Sequence, residues 1–431
     1  MTSLGASLTA KPATEALKIP HSRDNLPKLL FINNEYVESK HGKTLEVHNP
    51  RDDSLVANDV ALAGEEDVNI AVAAAATAFK TWRNTPAKTR RDCMLKLADL
   101  IEANGNTFAE LTRVTLGAPF GSFGSFEINL ACEGFRYFAG YADKFPGETF
   151  PADDGFLKIV TNEPLGVTCG IVPWNGPLGN IGRKIQEMSA KSNLKRVTLE
   201  LGGKSPAVVF DDCDFENAVA WCVNAITANT GQVCFAASRV YVQEGIYDKF
   251  VAAYKAAMED KAGGAGDPDA DTTTLGPLVD KAQYDRVTGF IERGRSQGNL
   301  LTGGGRIGNE GFFIQPTVFE GVDADAEISR NEIFGPVAVL NKFKTEEEII
   351  ARANDTEFGL MAGVFTQDIN KALRVAADFE SGMVGVNCIS LCFLTVPFGG
   401  TKSSGIGREN GIEAMRAYTE RKTIMVNMAK L

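Results

Sequence analysis

A chain of 431 residues with 44% hydrophobic content is long enough for two domains and a large core. Its net charge of −11 and pI near 5.0, with no basic stripe carrying interleaved aromatics, exclude nucleic acid as the expected partner. The longest alanine-rich apolar stretch, Ile70 to Phe79, is too short to span a bilayer and reads as the small-residue face of a helix.

Residues 1–25 are rich in Ser, Thr, Ala and Lys, lack the apolar core of a secretory signal and hold one arginine, Arg23. They read as a short disordered arm, and the cytoplasm follows as the expected compartment. Leu29 to Tyr36 is hairpin-like, with Asn33-Asn34 as its turn. Gly64-Glu65-Glu66-Asp67 caps a helical pattern that runs to about Trp82, and a second runs from Ala87 to about Asn104. Glu148 to Val160 alternates apolar and polar residues around Asp153-Asp154-Gly155, which predicts strand, turn, strand. Further on, Val197–Leu201, Ala207–Phe210 and Arg239–Val242 read as strands, and Phe215–Ala228 and Ile246–Met258 as helices. That alternation predicts an α/β architecture with a mainly parallel sheet. The glycine-rich stretch from Gly298 to Gly311 reads as a loop.

Candidate chemistry centres on Cys234 and, 34 positions upstream, Glu200. A free thiol has a pKa of about 8.5, so a catalytic cysteine needs either a lowered pKa or a neighbouring base. Thr230-Gly231-Gln232 and Ala236-Ala237-Ser238 leave backbone open around the sulfur, where N–H groups can stabilise an oxyanion. The plainer alternative makes Cys234 one of eight inert, buried cysteines. All three histidines lie in the first 48 residues, no C-x-x-C or H-E-x-x-H occurs, and the cysteines have no regular spacing. These facts argue against a Cys-His pair, a zinc or iron centre and a disulfide framework, and leave a metal-free thiol mechanism with a carboxylate base.

Five peptides in order carry a resemblance: Val172-Pro173-Trp174-Asn175, Leu199-Glu200-Leu201-Gly202-Gly203-Lys204, Gly231-Gln232-Val233-Cys234, Glu332-Ile333-Phe334-Gly335-Pro336 and Pro397-Phe398-Gly399-Gly400. From about Phe31 to its end the chain resembles the aldehyde dehydrogenase superfamily. That resemblance implies a Rossmann-like cofactor domain (26–144 and 164–200), a catalytic α/β domain (201–400), oligomerisation strands (145–163 and 417–431) and a return segment (401–416). It implies oxidation of a small-molecule aldehyde to a carboxylic acid with NAD or NADP, in a homodimer or homotetramer. Cys234 is then the nucleophile that forms a thiohemiacetal and a thioester, Asn175 an oxyanion donor, and Glu200 the base for the hydrolytic water. Trp174, Leu201, Gly202, Glu332 and Phe334 line the nicotinamide end, and Gly176, Val233, Phe235, Asn387 and Phe398 the aldehyde path. Gly176 stands where the family often carries a bulky aromatic, which predicts a widened path suited to a bulky or aromatic aldehyde. Read without the family, Glu200 is a strand-end residue capping the Gly202-Gly203 turn, Glu332 begins a turn after a strand, Trp174 is a core residue, and Asn387 is divided between site and structure.

The resemblance breaks at one place. Asn175 and Glu200 are 25 positions apart, roughly seventy fewer than in the family, and the missing stretch should carry most of a Rossmann half. The family's Lys-Pro-Ser and Phe-Thr-Gly-Ser peptides, which serve the adenosine ribose and the pyrophosphate, have no counterpart, and the join falls between Lys184 and Ile185. Loss of central strands should expose sheet edges and an apolar seam. A second reading is therefore a cofactor-deficient remnant, acting as a structural subunit or a cysteine esterase.

Overall fold

The computed structural model describes Ser22, residues 24–175 and residues 179–428. The expected disordered arm lies almost wholly outside the described residues, and Gly176 lies outside them too.

The best-packed part is a seven-stranded sheet. Its strands run in the order Asn299–Thr302, Thr317–Glu320, Val337–Phe343, Arg239–Gln243, Pro206–Val209, Met361–Phe365 and Met383–Val386. All neighbours pair in parallel except the first two, which are antiparallel. Both faces are covered by helices, so the strands read as continuous apolar runs: Val208, Val209, Val240, Val242, Ala338, Leu340, Val364 and Phe365 are fully buried. Helix Phe215–Thr227 starts at Asp214, whose carboxylate accepts from Asn217 N at 3.2 Å, and buries Cys222, Val223 and Ile226 under one face of the sheet. The glycine-rich loop expectation needs correction here. Asn299–Thr302 is an edge strand, because Leu300 and Leu301 pack onto the two core clusters beside it.

The amino-terminal half has a different character. The hairpin is present as Leu30–Ile32 against Glu35–Val37, with Asn33 and Asn34 in the left-handed region. Helix Glu65–Trp82 begins as expected: Gly64 N donates to Asp67 Oδ2 at 2.9 Å, and three acidic residues occupy its first turn. Helix Ala87–Ala103 follows, and the sequence reading missed helices Gly105–Leu116 and Ser125–Ala139. Glu148–Phe150 and Phe156–Pro164 form the expected hairpin, and Phe156–Pro164 pairs antiparallel along its whole length with Thr419–Asn427.

No second parallel sheet occurs among the described residues. The strand expected over Val197–Leu201 is reduced to Leu199–Glu200, whose ladder is with Gly405–Ile406. Residues 166–175 form no strand, and Ile171 and Val172 stand 62% and 87% exposed. A strand exists only where a neighbour accepts its hydrogen bonds, and here the neighbours are absent from the sequence. The expected apolar seam is thus exposed, and the remaining strands do not close over it.

This contrast predicts unequal stability. Leu340→Ala, in the centre of the sheet, should cost about 2 to 5 kcal/mol, whereas Val172→Ser should stay within about 0.5 kcal/mol. Amide exchange of residues 337–343, read during urea unfolding, measures both. Comparable losses would mean that 166–175 is packed after all.

Candidate active site

The site forms where three segments meet at the Gly202-Gly203 turn. Strand Leu199–Glu200 is held by the return segment: Leu201 N donates to Ser404 O at 3.0 Å, and Ser404 Oγ donates to Gly202 O at 2.7 Å. A Cβ on Gly203 would collide with the carbonyl of Cys234, and one on Gly202 would collide with the Glu332 carboxylate. Only glycine permits both approaches. Gly203 N donates to Glu332 Oε1 at 3.0 Å, which ties the turn to the Glu332 peptide.

The nucleophile loop is stiffened from below. Asn229, Thr230 and Gly231 are consecutive left-handed residues, an arrangement that survives only when its surroundings over-determine it. Gln232, fully buried, does this: its side chain accepts from Val279 N at 2.9 Å and donates to Asn229 O at 3.0 Å. Thr230 Oγ1 donates to Gly276 O at 2.8 Å. The Glu332–Phe334 peptide is fixed from helix Lys281–Gly294, where Arg286 donates to Glu332 O at 2.7 Å and Gln283 to Phe334 O at 2.7 Å. Gln232, Gln283 and Arg286 were not singled out in the sequence. Their long reach in sequence hides them, and only the Gln beside Cys234 carries a local signal.

Cys234 is half-buried, with its sulfur enclosed beside the Glu200 carboxylate. Burial first, then the negative charge of Glu200, pushes the thiol well above its ordinary value. Burial raises Glu200 to about 7, with Glu409 and Glu332 adding like charge and the Cys234 hydrogen bond opposing. At neutral pH the thiol is therefore protonated and the carboxylate is poised to take its proton. Glu200 Oε1 is buried without a partner, so it retains an acceptor for a water molecule. Burial also raises Glu332 to about 7, opposed by the Gly203 N–H and by Lys204 and Arg286. Lys204, which closes the Leu199–Lys204 peptide without a role assigned from sequence, is fully enclosed; its amine has no hydrogen-bond partner and burial lowers it to about 7.

Asn175 comes to the same loop, its side-chain amide donating to Gln232 O. Trp174 meets Phe334 edge to face at 5.7 Å, and Leu201 is buried against Gly182 of helix Gly179–Lys191. Phe235 and Phe398 meet edge to face at 5.6 Å, with Val233 on the same loop. Asn387 stands apart in role: its Oδ1 accepts from Thr366 N at 3.0 Å and its carbonyl accepts from Asn217 at 3.0 Å, which places it in the framework that joins two strands to helix Phe215–Thr227. Among the described residues no cluster of His, Cys, Asp and Glu could hold a metal ion, and no helix is long and apolar enough to cross a membrane.

A thiol, a raised carboxylate and an aromatic cleft beside them belong to cysteine-dependent oxidation of carbonyl compounds. The aldehyde dehydrogenase family model matches residues 36–186 and 179–424, and the chain belongs to this family. It is 38% identical to the aldehyde dehydrogenase of Emericella nidulans over 95% of this chain and 97% of that one. With cytosolic aldehyde dehydrogenase 1 of Mus musculus it shares 36% identity over 98% of this chain and 99% of the other. The NAD+ complex of a Bacillus cereus aldehyde dehydrogenase superposes with a TM-score of 0.90 at 34% identity, covering 94% of this chain and 98% of that one. The chain is an oxidoreductase of the class that oxidises aldehydes to carboxylic acids with NAD or NADP. The omission is visible in the same matches. The Emericella alignment has 485 positions but holds 95% of 431 residues, about 409, so about 76 positions have no residue here. The two family-model stretches overlap at 179–186, the octapeptide that contains the Lys184–Ile185 join.

Two outcomes follow from the carboxylates. Alkylation of Cys234 by limiting iodoacetamide should accelerate as pH rises through about 7 and should outpace every other cysteine; Glu200→Gln should remove that limb. Peptide mapping against pH reads this, and preferential labelling of Cys222 would refute the assignment. A carboxylate whose folded pKa is raised from 4.5 to about 7 loses stability for the fold as pH climbs across that window. Glu200→Gln and Glu332→Gln should each flatten the decline, by on the order of 3 kcal/mol at pH 8. Unchanged pH dependence of unfolding would show that neither group is buried as charged.

Proposed function

We propose that Cys234, Glu200 and Asn175 carry the aldehyde oxidation of this family member. The observation that carries the reading is the enclosed Cys234–Glu200 pair, with its unpartnered carboxylate oxygen, beside the Trp174–Phe334 cleft. Glu200 accepts the thiol proton as the sulfur bonds to the carbonyl carbon, and the carbonyl π pair moves to oxygen. The Asn175 amide and the Cys234 N–H face the oxyanion; such donors in a dry site contribute about 3 to 4 kcal/mol each. A nicotinamide held by Trp174, Glu332 and Phe334 would supply the hydride acceptor, and the carbon that gave up hydride would remain joined to the Cys234 sulfur as a thioester. Glu200 releases the thiol proton to solvent and then takes a proton from water, whose oxygen bonds to the thioester carbon and displaces the Cys234 sulfur; Glu200 returns that proton to the sulfur and the carboxylic acid leaves.

Glu332, Phe334, Trp174, Leu201 and Gly202 fit the nicotinamide end, since they surround the turn next to Cys234. The adenosine end has no such set among the described residues, because the stretch that would supply it is absent from the sequence. The apolar wall of Val233, Phe235 and Phe398 favours a bulky or aromatic aldehyde. Residues 26–144 with 164–200 form the cofactor side, 201–400 the catalytic domain and 401–416 the return segment. Strands 145–163 and 417–431 serve self-assembly into a dimer or tetramer, supported by exposed Phe150, Ile424 and Met425 on the three-stranded arm. A cytoplasmic location accords with the cytosolic relative.

Cys234→Ala should abolish oxidation of an aromatic aldehyde. Glu200→Gln should instead let an acyl group accumulate on Cys234, detected by intact-protein mass spectrometry. Equal loss of acylation and deacylation would reduce Glu200 to a structural part.

A further inference from the structure

Three carboxylates from three parts of the chain converge on the nucleophile. Glu200 ends strand Leu199–Glu200 beside Cys234, and the charges that act on it, Glu409 and Glu332, are both negative. The Glu332 carboxylate lies against Gly202, where an added Cβ would come within 2.2 Å of Oε2. Glu409 follows the Gly405–Ile406 strand that pairs with Leu199–Glu200, and its backbone is locked to Phe398: Phe398 N donates to Glu409 O at 2.8 Å, and Glu409 N to Phe398 O at 2.7 Å. Phe398 in turn meets Phe235, the residue after Cys234, edge to face at 5.6 Å. Glu409 is thereby anchored to the apolar wall of the aldehyde path, yet the proposed oxidation gives it no step.

Cations answer these charges poorly. Arg286 donates to the Glu332 carbonyl, Arg408 to the carbonyls of Gly400 and Gly407, and Arg239 to that of Lys204, so their bonds go to neutral oxygens. The Lys204 amine is unpartnered, and burial lowers it to about 7. In a site this poor in water, one like charge at close range is enough to slow the approach of an anion by about tenfold. We propose that Glu409, with Glu200 and Glu332, makes this an anion-rejecting site, which admits neutral aldehydes, excludes those with a carboxylate next to the carbonyl carbon, and drives off its own product once that product ionises. The inference rests on the reading of Cys234 as the nucleophile. Within the trio Glu409 is the specificity-determining member, because Glu200 is committed to proton transfer and Glu332 to the Gly203 turn.

Iodoacetamide and iodoacetate have the same shape and differ in charge, so their rates at Cys234 read this property without any cofactor. The rate ratio is taken on the folded chain by peptide mapping, with Cys234 of the urea-unfolded chain as the reference. At pH 8 the folded chain should favour iodoacetamide by at least about tenfold over that reference. Glu200 and Glu332 are both raised to about 7 by burial, so they gain protons as pH falls, and by pH 6 the preference should shrink towards the reference. Glu409→Gln should cut the pH 8 preference by about threefold or more, while Glu409→Asp, which keeps the charge, should retain it. Any change that Glu409→Gln causes in thiol activation acts on both reagents alike and cancels in the ratio. If Cys234 is labelled first but shows the reference ratio at pH 8, the proposal fails and the reading of the nucleophile stands. A preference that persists unchanged at pH 6 and in Glu409→Gln would also overturn it, since charge would then not be its cause. If another cysteine is labelled ahead of Cys234, the reading of the site fails and the inference fails with it.

Discussion

The two-residue turn Gly202-Gly203 is the constraint on which the site depends. One glycine lies under the Glu332 carboxylate and the other under the Cys234 carbonyl, so a single methyl group at either would push apart segments that lie far from each other in sequence. The turn cannot hold this arrangement alone. Ser404 bonds it from the return segment, Gly203 N bonds Glu332, and Arg239 donates to Lys204 O at 2.8 Å just beyond it. Close backbone approach thus replaces side-chain bridges, and it excludes water from the place where the base and nucleophile meet.

Exclusion of water sets the electrostatics. Glu200, Glu332 and Glu409 are all raised by burial, and the nearest buried cation, Lys204, is lowered by the same cause. Neither sign of charge is well solvated, so Glu200, Glu332 and Lys204 all change protonation near pH 7. This is costly for folding and useful for chemistry, since a carboxylate near pH 7 can take a proton and return it. The cost is met by the packed sheet beneath, which also holds Asn229, Thr230 and Phe334 in left-handed conformations.

The family was legible in the sequence because its marks sit in short, locally patterned peptides, and the helices from Gly64 and Ala87 were legible through their caps and periodicity. The residues that hold those peptides in place were not. Gln283, Arg286 and Arg239 act across long separations in sequence, through bonds to backbone carbonyls that leave no pattern of their own. Two strand readings went astray for one reason. Val197–Leu201 shortened because its partners are missing, and Asn299–Thr302 was hidden in a glycine-rich stretch because an edge partner, Thr317–Glu320, exists to receive it. Strands are decided by neighbours, and a single sequence shows neighbours poorly.

Chemistry and cofactor retention are physically separable here because they use different parts of the chain. Nucleophile, base and apolar wall sit on segments anchored to the seven-stranded sheet or to the return segment that clamps it. From the amino-terminal side Trp174 and Asn175 reach the site through contacts to the catalytic half: Phe334 for the ring and the Gln232 carbonyl for the amide. The omission therefore removes little that shapes the Cys234–Glu200 pair, while it removes the strands against which residues 166–175 would be ordered. Asn175 is the exposed link in this arrangement. Its backbone lies in the positive-φ region at 151°, at the end of a segment without a ladder, so the side chain proposed as oxyanion donor is held by its bond to the Gln232 carbonyl. Ordering the segment that leads to it would fix that side chain as well.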